Sequence, residues 1–261
     1  MLKTPKNYIT RPKKIAIITG ASSGLGAEFA LQIDSSEKLD EIWLIARRKK
    51  NLEAVAKKLT TPTVILDIDL SKTDSLALLS NRLEKQKPDI RILVNNAGYG
   101  AVGYSSEIAL KKQVGMVDLN IRALTELTLM SLIYTKKGSR IIQIASSAGF
   151  APMANFNVYA ATKAYVIHFS YALAWELRKN RVSVTAVCPG PIKTEFYEVA
   201  SGNESPRLAA DPLEVVKLAL SDSKKGRAYS IYGFPIKFYR YMSLFIPDKW
   251  IVWFTGKVKF A

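Results

Sequence analysis

Short apolar runs alternate with longer amphipathic stretches along most of this chain, and that rhythm restricts the fold more than any other feature. The runs at 14–19, 41–46, 62–68, 90–95, 139–145, 182–188 and, more weakly, 228–232 have the length and composition of strands. Helical patterns fall between them, near 24–34, 49–59, 73–86, 107–135, 156–180 and 211–221. Runs such as Ile42-Trp43-Leu44-Ile45 and Ile92-Leu93-Val94 are apolar at every position, not at alternate ones. A strand that is apolar on both faces needs helices on both sides of its sheet. Repeated strand–helix order with right-handed crossovers then predicts an α/β protein with a doubly wound parallel sheet of about seven strands. With 261 residues and no internal repeat or low-complexity linker, one domain accounts for the chain. Its core is expected over 13–221, with a flap at 193–210 and a C-terminal extension over 233–261.

Composition removes several classes of chemistry. One cysteine, Cys188, allows no intrachain disulfide and sits in an apolar run where a buried structural thiol is expected. A single histidine, His168, and no cysteine cluster argue against a transition-metal site or a histidine-based triad. No stretch reaches the roughly 18 apolar residues of a membrane span, so the expected location is cytoplasmic. The net charge is +16, and the excess is uneven: Lys224 to Ala261 holds eight basic residues and one acid, Asp248. Aromatic residues crowd the same stretch, among them Tyr229, Phe238, Phe245, Trp250, Trp253 and Phe254. Packing against the body or a neighbouring subunit is the first reading of this tail, and peripheral contact with an anionic membrane the second. Nucleic acid is not expected, because no recognised binding module accompanies the charge.

Thr19-Gly20-Ala21-Ser22-Ser23-Gly24-Leu25-Gly26 follows the first strand and opens the first helix. Glycines at 20, 24 and 26 permit a tight turn and close approach of phosphates, and the helix N-terminus offers unpaired N–H groups to a pyrophosphate. An NAD site usually ends its second strand in a carboxylate for the ribose hydroxyl. Here the strand ends at Ala46 and continues into Arg47-Arg48. Arg47 can fork onto a 2′-phosphate, helped by a hydroxyl of Ser22 or Ser23 and by Arg48, which selects NADP(H).

Tyr159 and Lys163 stand four residues apart in a helical pattern, one turn apart on one face, with Ser146 thirteen residues upstream of the tyrosine. A free phenol titrates near about 10, too high for efficient acid catalysis at neutral pH, and an adjacent ammonium is expected to lower it. A serine hydroxyl beside the phenol can hold a substrate oxygen against it.

With these motifs in order, the chain resembles the short-chain dehydrogenase/reductase family in its single-domain form, over roughly residues 13–221. The glycine turn is similar to the family's cofactor turn, and Asn95-Asn96-Ala97-Gly98 to the segment beside the cofactor. Asn120, Ser146, Tyr159 and Lys163 match its catalytic tetrad at the expected spacings. Pro189-Gly190-Pro191-Ile192-Lys193-Thr194 resembles the loop that meets the nicotinamide carboxamide, with Pro189, Gly190, Ile192 and Thr194 as contacts. Asp69 and Leu70 sit where the family contacts adenine. Aligning Ala145-Ser146-Ser147-Ala148-Gly149 on the family pattern selects Ser146 over Ser147. Within the family, the chain looks most like NADP-linked bacterial reductases.

The resemblance implies a Rossmann-like fold and hydride transfer between NADP(H) and a carbonyl or secondary alcohol on a hydrophobic substrate, such as a 3-oxoacyl group or a steroid. Tyr159 would be the general acid/base and Ser146 the donor to the substrate oxygen. Lys163 would hold the nicotinamide ribose, and the Asn120 amide a water leading to solvent. Tyr99, Val102, Phe150, Met153 and Phe156 are candidates for the substrate pocket. A homodimer or homotetramer through the helices near 107–135 and 156–180 is also implied. The competing readings are a non-catalytic NADP(H)-binding redox sensor and a membrane-surface adaptor. An intact tetrad weighs against both.

Overall fold

The computed structural model describes residues 11–206 and 208–257. Of the expected ranges, residues 1–10, residue 207 of the flap and 258–261 of the extension lie outside these. Seven strands form one parallel sheet: β1 (Lys14–Thr19), β2 (Glu41–Ile45), β3 (Thr63–Leu66), β4 (Asp89–Asn95), β5 (Thr135–Ile144), β6 (Ser183–Val187) and β7 (Tyr229–Ser230). Their order across the sheet is β3-β2-β1-β4-β5-β6-β7. The order reverses between β1 and β4, which pair directly through Ile17↔Leu93 and Ile18↔Val94. In such sheets the crevice that accepts a ligand opens above the carboxyl ends of the strands at this reversal.

The connecting helices are α1 (Gly24–Ser36), α2 (Lys49–Ala56), α3 (Thr73–Gln86), α4 (Leu110–Val117), α5 (Leu124–Leu132) and α6 (Asn157–Leu177). After β6 come α7 (Phe196–Ser201), α8 (Pro212–Lys224), α9 (Phe234–Met242) and α10 (Asp248–Lys257). Successive strand residues point to opposite faces, and the core divides accordingly. Ile18, Leu44 and Val94 pack with Phe29 and Ile33 of α1 and Val216 of α8. Ile17, Trp43 and Leu93 pack on the other face with Leu79 of α3, Leu127 of α5 and Leu173 of α6. Fully burying each such side chain contributes about 1.5–3 kcal/mol, which is why strands apolar at every position are stable only here.

The expected helix over 107–135 is three pieces. Wider π-type turns over Asp118–Ala123 separate α4 from α5. Helical structure then stops at Leu132, and Thr135 already pairs with Ile90. The ladder between β4 and β5 jumps from Ile90↔Thr135 to Ile92↔Arg140, so residues 136–139 bulge out before the regular strand begins. Ser139 stabilises the bulge by accepting from the Lys136 N–H and donating to the Ile90 carbonyl. The extension adds α9 and α10, whose pattern the sequence analysis left unassigned. Among the described residues no helix is long and apolar enough to cross a membrane.

Candidate active site

A cavity of about 970 Å³ opens at the carboxyl ends of the central strands. Its glycine turn is locked from beneath. Asn96 donates through Nδ2 to the carbonyls of Thr19 (3.0 Å) and Gly20 (3.3 Å), while Thr19 Oγ1 accepts from the Asn96 and Ala97 N–H groups, both at 2.9 Å. Gly20 and Gly24 lie at φ +65° and +53°, conformations that favour glycine. Gly26 faces away from the cavity, where a Cβ would stand 2.2 Å from the Gly20 carbonyl oxygen. A side chain there would keep α1 from closing onto the turn. Ser23 caps α1 without a side-chain bond, so the first-turn amides face the cavity undisputed.

The basic cluster beside this turn centres on Arg48, where the sequence analysis gave the lead to Arg47. The Arg48 guanidinium donates to Ser23 Oγ at 2.6 Å and Ser22 Oγ at 3.3 Å. It also pairs at 2.9 Å with Glu195, whose carboxyl it holds below the ordinary range. Arg47 lines the cavity nearer Asp69. Burial opposes the Asp69 charge, but the Ser71 hydroxyl and amide outweigh it, with Arg47 adding, and its carboxyl stays below the ordinary range. Uncapped amides, a guanidinium and two hydroxyls, with no carboxylate at the end of β2, fit a dinucleotide carrying a 2′-phosphate. Leu70, Asn96, Ala97, Gly98, Pro189, Gly190, Ile192 and Thr194 line the same cavity.

The catalytic candidates converge a few ångströms on. α6 carries Tyr159 and Lys163 inward on one face, 6% and 5% exposed. Ser146, at the end of β5, is hydrogen-bonded to the Tyr159 hydroxyl, and its Oγ accepts from the Ala148 N–H at 3.1 Å. Lys163 Nζ donates to the Ile144 carbonyl at 2.6 Å and lies 5.6 Å from the centre of the tyrosine ring. Against the expected lowering of the phenol by Lys163, burial dominates. Burial pushes Tyr159 well above its ordinary value, opposed only by the Ser146 hydrogen bond. The same burial brings Lys163 down to about 8. The ammonium itself is aimed at the Ile144 carbonyl at the end of β5.

Asn120 is fully buried within the π-type turns. Its Nδ2 donates to the Tyr99 carbonyl (3.0 Å) and Thr162 Oγ1 (3.1 Å), and its Oδ1 accepts from the Tyr99 N–H (3.1 Å). Both amide hydrogens are therefore taken, and only the second lone pair of Oδ1 is left for the expected water. The side chain braces the loop after β4 against α6, and it does not line the cavity. Gly98 makes this possible: a Cβ there would meet Asn120 Oδ1 at 2.9 Å and Lys163 Nζ at 3.6 Å.

An apolar clamp holds the phenol. Phe156 stacks on Tyr159 with centroids 4.3 Å apart, and Phe196 of α7 tilts against it at 5.4 Å. Tyr99, Met153 and Phe156 line the cavity as expected, whereas Val102 and Phe150 do not. Phe150 instead packs under α9 against Tyr239 and Arg240, and Val102 sits in the cluster behind Phe156. The far wall, which no sequence motif marks, is Tyr239, Ile246, Trp250, Ile251, Trp253 and Phe254, all from the tail. Only the aromatic crowding there hinted at it. Cys188 is buried and unpaired, with its thiol pushed up to about 12, and is chemically quiet.

Known proteins are similar to this chain in sequence and fold. The family model for short chain dehydrogenases matches residues 14–204. The chain is 31% identical over 227 residues to an NADP-dependent 3-hydroxy acid dehydrogenase of Schizosaccharomyces pombe, covering 80% of this chain and 87% of that protein. It is 34% identical over 192 residues to the serine 3-dehydrogenase of Agrobacterium fabrum, covering 71% and 75%. Among solved structures, a short-chain dehydrogenase from Sphingobium yanoikuyae in complex with NADPH superposes with a TM-score of 0.79 at 28% identity, covering 95% of this chain and 97% of that one. The bulky-bulky ketone specific alcohol dehydrogenase from Comamonas testosteroni gives 0.71 at 26% identity, with 95% of each chain covered.

Proposed function

This chain belongs to the short chain dehydrogenase family, and from that premise we propose that it moves a hydride between NADP(H) and a carbonyl or secondary alcohol on a bulky hydrophobic body. It is an NADP-dependent oxidoreductase. One observation carries the reading: Tyr159, Ser146 and Lys163 line the same cavity as the glycine turn and Arg48. The α1 amides would hold the pyrophosphate, Arg48 with Ser22 and Ser23 the 2′-phosphate, and Lys163 the nicotinamide ribose. The bound dinucleotide supplies or accepts the hydride. Tyr159, kept neutral by burial, donates its proton to the oxygen of a carbonyl undergoing reduction. Ser146 donates a hydrogen bond to the same oxygen, favouring the charge that develops there. Phe156 and Phe196 exclude water from the phenol and offer apolar surface to the substrate.

Assembly through α5 and α6 is supported by the exposure of Leu129 of α5 and of Tyr171 and Trp175 of α6, each at least half exposed (50%, 56% and 66%). A homodimer or homotetramer would cover them.

Tyr159→Phe tests the function directly. Carbonyl reduction followed at the nicotinamide absorbance should fall at least about 1,000-fold, while NADPH fluorescence titration should give an unchanged Kd. Turnover that survived the change would sink the assignment.

A further inference from the structure

We propose that α9 and α10 dock the enzyme on an anionic lipid bilayer, and that the cavity draws a long apolar ketone or alcohol from that bilayer. The docking half stands on the tail alone, and the substrate half rests on the reductase reading above.

The two faces of α9 differ sharply. Ile236, Tyr239 and Arg240 turn inward: Ile236 covers Gly190, Tyr239 meets Phe150 at 5.9 Å, and Arg240 lies over the rings of Phe150 and Tyr229. Phe234, Phe238 and Tyr241 follow one another on the opposite side at helical spacing, with Phe245 in the turn just after the helix; they are 79%, 57%, 71% and 74% exposed. On α10, Ile251 is buried and Thr255 holds the Ala154 N–H at 3.2 Å, while Trp250, Trp253 and Phe254 are each more than half exposed. These last three also line the cavity, so its wall and the outer apolar face are the same side chains.

Charge selects the occupant. Lys249 lies over Trp250 and Lys257 over Trp253, at 5.9 and 3.7 Å, and Lys237 is exposed beside Phe238. The only acid among the described residues of α9, α10 and their connection is Asp248. A second copy would set one basic face against another, which costs free energy across a two-fold axis. Tryptophan and phenylalanine at acyl depth with lysine stems reaching up to phosphate is the pattern of a helix lying in a membrane interface. Each basic residue near such a surface adds about five-fold to partitioning.

Flotation of the full chain with vesicles of phosphatidylglycerol and phosphatidylcholine, against pure phosphatidylcholine, tests the docking. The wild type should float with the anionic vesicles and be released by salt. Phe238→Ser combined with Phe245→Ser, both exposed and neither lining the cavity, should weaken partitioning at least about 10-fold. Lys237→Glu, a change of two charges, should weaken it about 30-fold. Unchanged thermal unfolding of these variants shows that they fold. Wild-type protein that stays with the unbound fraction, or variants that float as well as wild type, overturns docking. So does a wild-type dimer that the double variant splits while neither binds vesicles, which would give the face to a second copy. For the substrate half, the double variant should reduce a short water-soluble ketone at the wild-type rate and a long-chain methyl ketone loaded in vesicles about 10-fold more slowly. Equal rates on the loaded ketone overturn that half. Flotation without turnover of either ketone, or without NADPH binding by fluorescence, locates the failure in the reductase reading and leaves docking intact.

Discussion

Tyr159 and Lys163 are both buried, and burial acts on them in opposite directions. The phenol is held neutral, which suits a proton donor and handicaps a proton acceptor. Alcohol oxidation must remove that proton first, so its kcat should climb through the alkaline range while kcat for carbonyl reduction does not. Initial rates in both directions across pH check this. Lys163 carries the reverse penalty. Its folded pKa of about 8 lies below the roughly 10.4 of an unfolded lysine, so between these values the unfolded chain binds the extra proton. Stability should therefore rise with pH through that window, and at neutral pH the buried charge costs stability. Lys163→Met should raise stability at pH 7 by roughly 1–3 kcal/mol while weakening NADPH binding. Urea unfolding at pH 7 and at pH 9 would check it: wild type gains with pH and the variant stays flat. A stability cost of this kind is expected of a residue held for function.

At the scale of elements, the turns around the sheet's reversal point act as one unit. Asn120 in the π-type turns ties the loop after β4 to α6 through three hydrogen bonds. Asn120→Ala leaves the Tyr99 N–H and carbonyl buried without it, and should cost about 3 kcal/mol in urea unfolding as well as activity. Activity lost with stability intact would mean the brace is unimportant. Gly26→Ala should destabilise comparably and abolish NADPH binding, because its Cβ would press on the Gly20 carbonyl. Much at this scale was legible in the sequence. Apolar runs placed every strand to within a few residues, since strands buried on both faces cannot be polar. The glycine turn and the Tyr159–Lys163 spacing located the cavity. What escaped was local. A π-type insertion leaves the period of apolar residues almost unchanged, so Asp118–Ala123 read as ordinary helix. The bulge at 136–139 depends on Ser139 pairing with a strand remote in sequence. The opposed shifts of Tyr159 and Lys163 arise from burial, which spacing on one helix does not report.

For the whole molecule, the C-terminal extension packs against the body, the first of its expected readings, and in doing so also walls the cavity, which no motif foretold. Its helices were hard to read because each is short and carries aromatic residues on its exposed face as well as its inner one. If that wall meets substrate, Trp250→Ala with Trp253→Ala should raise KM for bulky ketones about 10-fold and leave the Kd for NADPH unchanged. A shift in cofactor affinity instead would mean that the tail shapes the dinucleotide site. α9 and α10 add no strand to the sheet, and they rest on the core through Gly190, Phe150 and Ala154. The side chains proposed to handle the proton thus come from α6 and the end of β5, whereas one wall of the cavity comes from the tail. If that wall chooses the substrate, descent can rewrite the final segment, and with it the diet of the enzyme, while Ser146, Tyr159 and Lys163 stay as they are.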